Sequence, residues 1–362
     1  MEKTGTNEPP ILYGGKLIAE GAYGCVYVPA LKCKSKKVST KKIPKNTEIK
    51  DGDPISKLIE KEYGEYEFLI AKEIQKIPLW KHYFIVPHEI CVPDLKQKEL
   101  KECDATKDSP KLELRLLQGI YGGTILTNYR LNFYKDSFYD LYKYIIECTA
   151  LLTLNSIVHT DIHIGNILVD NAGVPRLIDF NMALSATPKH TKEDLYIGFA
   201  IENSQLPPDR ILVNALSQGK DGMMTIDAIM KYKPVLKRIQ AVLGVTLKSM
   251  QDDLIEFYDT SKAIRNKDIV GWFNNYWPQI DSWAIGIIGI NLLSKLLLWP
   301  NFTKGSYITY SDKINKVLKG LVEVNPRKRI DCVQALAYLE PNNYIITKYG
   351  KAWLDKVGKF IP

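Results

Sequence analysis

The chain has 362 residues, of which 45% are hydrophobic and 25% are charged, as in an average globular protein. This composition excludes a collagen-like, a low-complexity or a mainly disordered chain, and the length allows one large bilobed unit or two domains. The formal net charge of +8 is only a weak indication of an anionic partner such as a nucleotide, a nucleic acid or a membrane surface.

The cysteines and the N-terminus predict an intracellular protein. The six cysteines form no C-x-x-C pair and no tight metal-binding spacing, which favours reduced thiols. Residues Met1–Pro10 are polar and lack the apolar core of a signal peptide. The longest apolar run, Trp283–Trp299, is interrupted by polar residues and predicts a buried helix rather than a membrane span. We therefore expect a cytoplasmic protein.

The first third of the chain is predicted to be rich in strands. A helix is expected from Ile55 to Ile77, where apolar residues recur at spacings of three and four. The charged segment from Asp94 to Lys111 lacks periodicity and predicts a solvated loop. Strands are predicted at four β-rich runs: 17–28, 38–43, 83–92 and 112–118.

The rest of the chain is predicted to be mainly helical. Beyond Tyr121 the apolar spacing changes to that of amphipathic helices, and no repeat of fixed period is visible. Helices are predicted at 137–155, 225–243, 247–264, 282–299 and 311–322. The sequence therefore predicts a β-rich part followed by a helical part.

A glycine motif lies between the first two predicted strands. Gly21 and Gly24 occur where the chain turns, and glycines let backbone N–H groups approach phosphate oxygens closely. Val26 would then pack on a purine. An ordinary glycine hairpin explains this motif equally well, so its function depends on the rest of the chain.

Three oxygen-bearing side chains follow in the second half of the chain. Asp161 and Asn166 lie in the run from His159 to Val169, and Asp179 lies in the run from Leu177 to Asn181. The neighbouring apolar residues predict strands that hold these side chains at their ends. Carboxylate and amide oxygens suit a hard cation such as Mg²⁺ that carries nucleotide phosphates. Two ordinary hairpin turns with polar corners are the alternative.

These motifs, in this order, resemble those of the protein kinase superfamily in a divergent, eukaryotic-type serine/threonine form. The resemblance implies an α+β bilobed fold, with a β-rich N-lobe at residues 1–121 and a helical C-lobe at residues 122–362. It also implies transfer of the γ-phosphoryl group of ATP to Ser or Thr hydroxyls of a protein substrate, with Mg²⁺ or Mn²⁺ as the metal.

The resemblance assigns the glycine region to the nucleotide. Gly21 and Gly24 match the second and third glycines of the loop that covers the nucleotide in this family, and Ala19 occupies the place of the first. Ile18 and Val26, which flank this loop, are assigned to nucleotide contacts.

The same resemblance nominates an ion pair in the N-lobe. The run Val-Ser-Thr-Lys that ends at Lys41 is similar to the family's V-A-x-K strand, so Lys41 is expected to contact the α and β phosphates. Lys42 is the alternative, because the register of this basic run is open by one residue. Glu67 is expected to be the ion-pair partner of the lysine, with Glu62 and Glu65 as alternatives one turn away.

Asp161, Asn166 and Asp179 take their roles from the family's catalytic motifs. Asp161 matches the aspartate that accepts or orients the proton of the attacking hydroxyl. Asn166 matches the magnesium-binding asparagine, and Asp179 matches the metal-binding aspartate of D-F-G. The metal would neutralise charge on the β and γ oxygens during transfer.

Two later motifs favour a protein kinase over a small-molecule kinase. The run from Asp281 to Gly286 is similar to the family's D-x-W-x-x-G, and Asn325–Arg329 is similar to its D-P-x-x-R. Aminoglycoside and choline kinases normally lack both. The late arginine pairs with the acid of A-P-E in protein kinases, so Arg329 is predicted to form a buried ion pair with Asp209.

Three positions depart from the family pattern. Thr160 replaces the arginine of H-R-D, so a phosphate on the activation segment, which contains Thr187 and Thr191, would lack its usual partner. His163 gives a D-x-H-x-G-N form, similar to that of haspin-like kinases, and the divergence as a whole is similar to that of kinases of large DNA viruses. Asn181 replaces the last glycine of D-F-G. A small-molecule kinase and a nucleotide-binding pseudokinase scaffold therefore stay as alternatives.

A long insertion separates Asp209 from Asp281. Residues 210–280 lie beside the expected substrate groove, where they would hold a partner, restrict the substrate or have no function. The basic residues of this stretch favour a solvated helix face over a nucleic-acid site: Lys231, Lys233, Lys237 and Arg238. No stable association with nucleic acid or membrane is predicted.

Overall fold

A computed structural model describes residues 15–34, 49–110, 113–131, 137–187, 189–198, 200–305 and 307–362. The protein is a mixed α and β chain that forms two compact units. The first unit contains the described residues up to Thr124 together with Leu168–Ala172 and Ile178–Asn181, and the second contains the others. Among the described residues, no helix combines the length and the apolar character that a membrane span requires.

The first unit is built around an antiparallel sheet. Its strands are β1 (Lys16–Gly21), β2 (Gly24–Val28), β3 (Pro54–Glu60), β4 (Glu89–Cys91) and β5 (Leu114–Ile120), in the spatial order β1-β2-β3-β5-β4. Helix α1 (Lys61–Ile74) follows β3 directly, and the short helix α2 (Trp80–Tyr83) precedes β4. One face of the sheet packs into a core that includes the buried side chains of Tyr27, Leu58 and Leu116.

The remaining elements are mostly helical. The strands are short: β6 (Thr124–Ile125), β7 (Ile157–Val158), β8 (Ile167–Val169), β9 (Pro175–Leu177) and β10 (Leu184–Ser185). The first helices of this part are α3 (Phe138–Leu154), α4 (Lys192–Leu195), α5 (Pro208–Ser217), α6 (Gly222–Tyr232), α7 (Pro234–Leu243), α8 (Leu247–Thr260), α9 (Lys262–Arg265) and α10 (Ile269–Tyr276). The last are α11 (Pro278–Leu296), α12 (Pro300–Thr303), α13 (Tyr307–Leu321), α14 (Cys332–Leu339) and α15 (Lys351–Val357).

The predicted helix at 55–77 is wrong in its first six residues. Residues Pro54–Glu60 form the central strand β3, and the helix begins at Lys61. Strand β3 pairs with β2 on one side and β5 on the other, which buries Ser56 and Leu58 completely. Ser56, Leu58 and Glu60 alternate with Ile55, Lys57 and Ile59 across the two faces of the strand. The sheet pairing therefore overrides the helical spacing that continues from α1.

The predicted helix at 225–243 is two helices. Helix α6 ends at Tyr232, and Lys233 has an extended backbone, with φ −93° and ψ 96°. Pro234 explains the break, because the ring of a proline disfavours helical angles at the preceding residue. The predicted helices at 137–155, 282–299 and 311–322 are present as α3, α11 and α13, whereas α8 and α9 divide the one predicted at 247–264.

The strand predictions have a mixed outcome. The hairpin at 17–28 and the strand at 112–118 are present as β1 with β2 and as β5, but only Glu89–Cys91 of the range 83–92 is a strand. The predicted strand at 38–43 lies outside the described residues.

Helix α11 is the buried centre of the second unit. Proline stands at its first turn, where the absent N–H would have no helical partner anyway. Most of the helix is buried, and the side chains of Trp283, Ile285, Ile287 and Ile290 are completely so. The interpretation of 283–299 as a buried helix therefore holds for most of α11, which ends at Leu296, whereas residues 298 and 299 are largely exposed.

The predicted ion pair between Asp209 and Arg329 is confirmed. Arg329 Nη2 lies 2.6 Å from Asp209 Oδ1, and both side chains are completely buried. Trp272 Nε1 donates to the other carboxylate oxygen at 3.0 Å, and Arg329 also donates to the backbone oxygens of Glu323 and Gln279. Both charges therefore have the hydrogen bonds that a buried ion pair requires.

The expectation of reduced thiols is wrong for four cysteines. Cys25 is bonded to Cys103 with a Cα–Cα distance of 5.7 Å, and Cys33 is bonded to Cys91 with one of 5.8 Å. The partners are 78 and 58 residues apart in the sequence, so only the folded sheet brings them together. Cys103 and Thr106 are buried and anchor the segment predicted as a solvated loop at 94–111, whereas its other described residues are exposed or half-buried.

Thiol counting tests these two disulfides. Cys148 and Cys332 are not disulfide-bonded, so alkylation of the denatured, unreduced chain is expected to label two thiols, against six after reduction. Mass spectrometry gives both numbers, and six labels without reductant would contradict the disulfides. We expect Cys25→Ala/Cys103→Ala to lower the free energy of unfolding by about 2–5 kcal/mol, because the open chain gains conformational entropy.

Candidate active site

The glycine hairpin joins β1 to β2 by a two-residue turn. Gly21 pairs with Gly24 at its end. A Cβ on Gly24 would lie 2.1 Å from the backbone oxygen of Leu58, so close packing against β3 requires glycine here. A Cβ on Gly21 would meet only Gly24 O, at 3.9 Å, so the backbone of Gly21 is open to an approaching group. Close packing therefore requires glycine at position 24, whereas glycine at position 21 leaves the backbone accessible.

Two other residues predicted at the nucleotide lie on the same hairpin. Val26 pairs with Lys57 of β3, and neighbouring residues of paired strands point to the same face of a sheet. Ile18 is half-buried and lies at a register irregularity between Leu17 and Ala19. Their contacts with a nucleotide stay predictions.

Lys57 forms the ion-pair centre of the first unit. Its Nζ lies 2.8 Å from Glu67 Oε2 and 2.7 Å from Asp179 Oδ1. Burial alone would lower the pKa of the Lys57 ammonium, but the nearby carboxylates of Glu67 and Asp179 outweigh it and hold the pKa above its ordinary value. Lys57 is therefore a fixed positive charge between two carboxylates.

Lys57 is the functional candidate that the sequence interpretation missed. Lys41 and Lys42, which were nominated instead, lie outside the described residues. The structure gives the ion pair with Glu67 to Lys57, on the central strand β3. A signal existed in the run Ile-Ser-Lys that ends at Lys57, directly before apolar Leu58 and Ile59. Assigning this run to the predicted helix concealed it.

Among the three candidate glutamates, Glu67 makes the lysine contact. It lies on the buried face of α1 and is only 4% exposed. Glu65 points elsewhere and forms an ion pair with Arg115 at 3.0 Å, while Glu62 is exposed in the first turn of the helix. Glu67 therefore pairs with Lys57, and the predicted pair of Glu67 with Lys41 lies outside the described residues.

Asp161 and Asn166 lie together in the loop after β7. Asn166 Nδ2 donates to the backbone oxygen of Asp161 at 3.0 Å and to its Oδ2 at 3.3 Å. Asn166 is buried, whereas the side chain of Asp161 is 34% exposed. The hydrogen bonds from Asn166 therefore fix the position of Asp161, and the Asp161 carboxylate remains accessible to a reactant.

His163 lies next to Asp161. Its Nδ1 accepts from the backbone N–H of Gly165 at 3.0 Å, which leaves the Nε2 position for the proton of a neutral ring. Nε2 is 3.7 Å from Asp161 Oδ2, and the side chain is 40% exposed. His163 therefore presents a donor beside Asp161 in the neutral as well as the charged state.

Asp281 holds the backbone just before Asp161. Its two carboxylate oxygens accept from the backbone N–H groups of His159 at 2.7 Å and Thr160 at 2.9 Å. Burial raises the pKa of the Asp281 carboxyl, although these hydrogen bonds oppose the rise. Thr160 has a left-handed φ of +63° and donates through Oγ1 to Met182 O at 2.7 Å. The Thr160 hydroxyl therefore links this backbone to the loop that contains Met182.

The turn that contains Asn181 has its left-handed residue at Asp179, with φ +64°, and Asn181 itself has no positive φ. A non-glycine residue in this region is strained and is held by its surroundings. The surroundings here are the ion pair with Lys57 and the buried ring of Phe180, which packs edge-on against Phe84 with centroids 5.9 Å apart.

The oxygen ligands predicted for a metal are present in their respective units. Asn166 uses its amide nitrogen on Asp161, and its amide oxygen accepts no hydrogen bond from the described residues. Asp179 uses Oδ1 on Lys57, and Oδ2 has no partner among the described residues. Amide and carboxylate oxygens are ligands that Mg²⁺ accepts, so each of these two side chains by itself is chemically suited to this ion.

Comparison with known proteins gives one informative similarity. No protein-family profile matches the chain. It is 27% identical over 167 residues to cyclin-dependent kinase 12 of Caenorhabditis elegans. The similar region covers 46% of this chain but only 20% of that kinase, so the chain corresponds to a small part of its relative. This partial similarity points to a relationship with protein kinases.

Proposed function

We propose that the chain is an ATP-dependent protein kinase that phosphorylates Ser or Thr hydroxyls. The observation that carries this proposal is the contact of Lys57 with both Glu67 and Asp179, at 2.8 and 2.7 Å. A buried lysine between a helix glutamate and a loop aspartate is the arrangement that a kinase uses to hold phosphates and metal. The similarity to a cyclin-dependent kinase points the same way.

Each functional side chain has a role in this proposal. Lys57 has three ammonium donors, of which two contact carboxylates, and we assign the third to the α and β phosphates. Asp161 orients the acceptor hydroxyl and takes its proton. Asn166 and Asp179 would hold Mg²⁺, which supplies charge neutralisation on the phosphate oxygens when bound.

His163 contributes a donor beside the acceptor in the same proposal. It occupies the place of the lysine that serine/threonine kinases usually carry, and its Nε2 lies 3.7 Å from Asp161 Oδ2. A donor at this position would stabilise negative charge on the transferred phosphoryl group. Since the Nε2 proton is present in the neutral ring as well, this role does not require an imidazolium.

The experiment offers acceptors of both classes to the purified chain. It is incubated with γ-labelled ATP and Mg²⁺ or Mn²⁺, in parallel with a mixture of generic proteins and with amino sugars or choline. We expect label in protein, on Ser or Thr after acid hydrolysis. Label only in the small alcohols would identify a small-molecule kinase, and nucleotide binding without transfer to any acceptor would identify a non-catalytic scaffold.

A further inference from the structure

A buried lysine of the insertion holds the segment that precedes Asp209. Lys233 was expected on a solvated helix face, but it is only 1% exposed, whereas Lys231 and Lys237 of the same basic cluster are exposed. Pro234 ends helix α6 and gives Lys233 its extended backbone, so this side chain leaves the solvated helix face. The insertion thus places the Lys233 side chain in the interior of the protein.

The Lys233 ammonium binds backbone oxygens rather than a carboxylate. Nζ donates to Asn203 O at 2.6 Å and to Ile201 O at 3.5 Å. Burial lowers the pKa of Lys233 to about 7, although attraction by Asp209 opposes the shift. Burying an ammonium without an ion-pair partner is costly, so a hydrophobic residue would be the simpler choice if only packing mattered.

Two further buried side chains hold the same segment, which we call the anchored segment and define as residues 197–198 and 200–204. Asn214 makes two bonds with Ile197: its Nδ2 donates to Ile197 O at 2.8 Å, and its Oδ1 accepts from Ile197 N at 3.3 Å. Trp283 Nε1 donates to Ser204 O at 2.9 Å. The backbone is therefore fixed from beneath at both ends and in the middle.

The anchored segment and the loop of Asp161 are held by one helix. Trp283 of α11 binds the anchored segment, and Asp281 of the same helix binds the backbone of His159 and Thr160. Asp281 and Trp283 are two residues apart on this buried helix. They therefore hold the anchored segment and the loop of Asp161 to the same helix within the second unit. Glu202 and Asn203 of the anchored segment have exposed side chains, although the backbone beneath them is bonded.

We propose that Lys233 is a positioning residue that holds the anchored segment in place for the protein acceptor. This inference rests on the proposed kinase function, and it gives the insertion at 210–280 a role in acceptor binding. The contacts of Lys233, Asn214 and Trp283 all go to unmodified backbone, so they need no phosphate on Thr187 or Thr191. These contacts with the anchored segment therefore form without phosphorylation of the chain.

The test compares Lys233→Met with Lys231→Met. Methionine has a similar length and no donor, and Lys231 is an exposed neighbour on helix α6 that serves as the control. For Lys233→Met we expect faster amide hydrogen exchange at 200–204. We also expect a KM for the protein acceptor at least about tenfold higher, because a buried donor to Asn203 O is lost, with the KM for ATP unchanged. Lys231→Met should change neither quantity.

Each outcome separates this inference from the kinase proposal. Transfer by the wild-type chain with an unchanged acceptor KM in Lys233→Met would overturn the positioning role and leave the kinase proposal intact. Unchanged hydrogen exchange would show that Lys233 does not anchor the segment. Absence of transfer by the wild-type chain would overturn both. If Lys233→Met does not fold, Asn214→Asp removes the donor to Ile197 O and is expected to raise the acceptor KM in the same way.

Discussion

Replacing Lys57 with methionine is expected to reduce phosphoryl transfer by about 10²–10³-fold. The ammonium contacts both Glu67 and Asp179, and removal of one preorganised electrostatic donor from an active site typically costs this much in rate. The measurement is the initial rate of label transfer from γ-labelled ATP to protein.

Lys41→Met is the matched control for this prediction, since the basic run before β3 was the other candidate. We expect Lys41→Met to keep the wild-type rate of transfer. A loss of transfer in Lys41→Met, with the wild-type rate in Lys57→Met, would instead assign the phosphate contact to Lys41. Methionine at 57 also leaves two carboxylates without their partner, so thermal unfolding must be followed in parallel. Glu67→Gln provides a second variant that weakens the ion pair while Lys57 and Asp179 stay in contact.

Replacing Asp161 with asparagine is expected to reduce transfer by about 10²–10⁴-fold, with little change in nucleotide affinity. The substitution removes the proton acceptor and keeps the shape of a side chain that is 34% exposed. The fall should therefore appear in kcat, and the Kd for ATP, measured by calorimetry, should stay within about twofold of the wild type.

A surface aspartate provides the control for Asp161→Asn. Asp312 lies on α13 with its side chain 82% exposed, beside Lys316 in a surface ion pair at 3.0 Å. Asp312→Asn should leave kcat unchanged, because exposed pairs of this kind contribute little. Equal activity of Asp161→Asn and the wild type would contradict the assignment of Asp161 as the proton acceptor.

The local motifs of the site were readable from the sequence. Asp161 and Asn166 are five residues apart, and the structure joins them by direct hydrogen bonds. Short spacing within one loop leaves few possible arrangements, so residue types alone indicate the chemistry. Asp209 and Arg329 are 120 residues apart, and their pairing was predicted only from the resemblance to protein kinases.

The identity of the lysine and the disulfides needed the folded chain. Lys57 and Asp179 are 122 residues apart, and the register of β3 against β2 and β5 decides which lysine reaches Glu67. The sequence contains a conspicuous basic run before β3, and the helical spacing of α1 continues back through residue 55. The cysteine pairs are likewise set by the sheet, and no short spacing revealed them.

The burial of Lys233 was also hidden from composition. A lysine in a basic helix is normally exposed, and Lys231 and Lys237 follow that rule. Pro234 was the available signal, because it forces an extended residue between two helices. That signal predicts the break, but only tertiary packing decides that the ammonium lies under Asn203.

The most direct test of the account is a single comparison of γ-phosphoryl transfer to protein by the wild-type chain, Lys57→Met and Asp161→Asn at saturating Mg²⁺ and ATP. The account predicts labelled Ser or Thr with the wild-type chain and loss of nearly all label with either variant. No label with the wild-type chain, or equal label in all three, would contradict it.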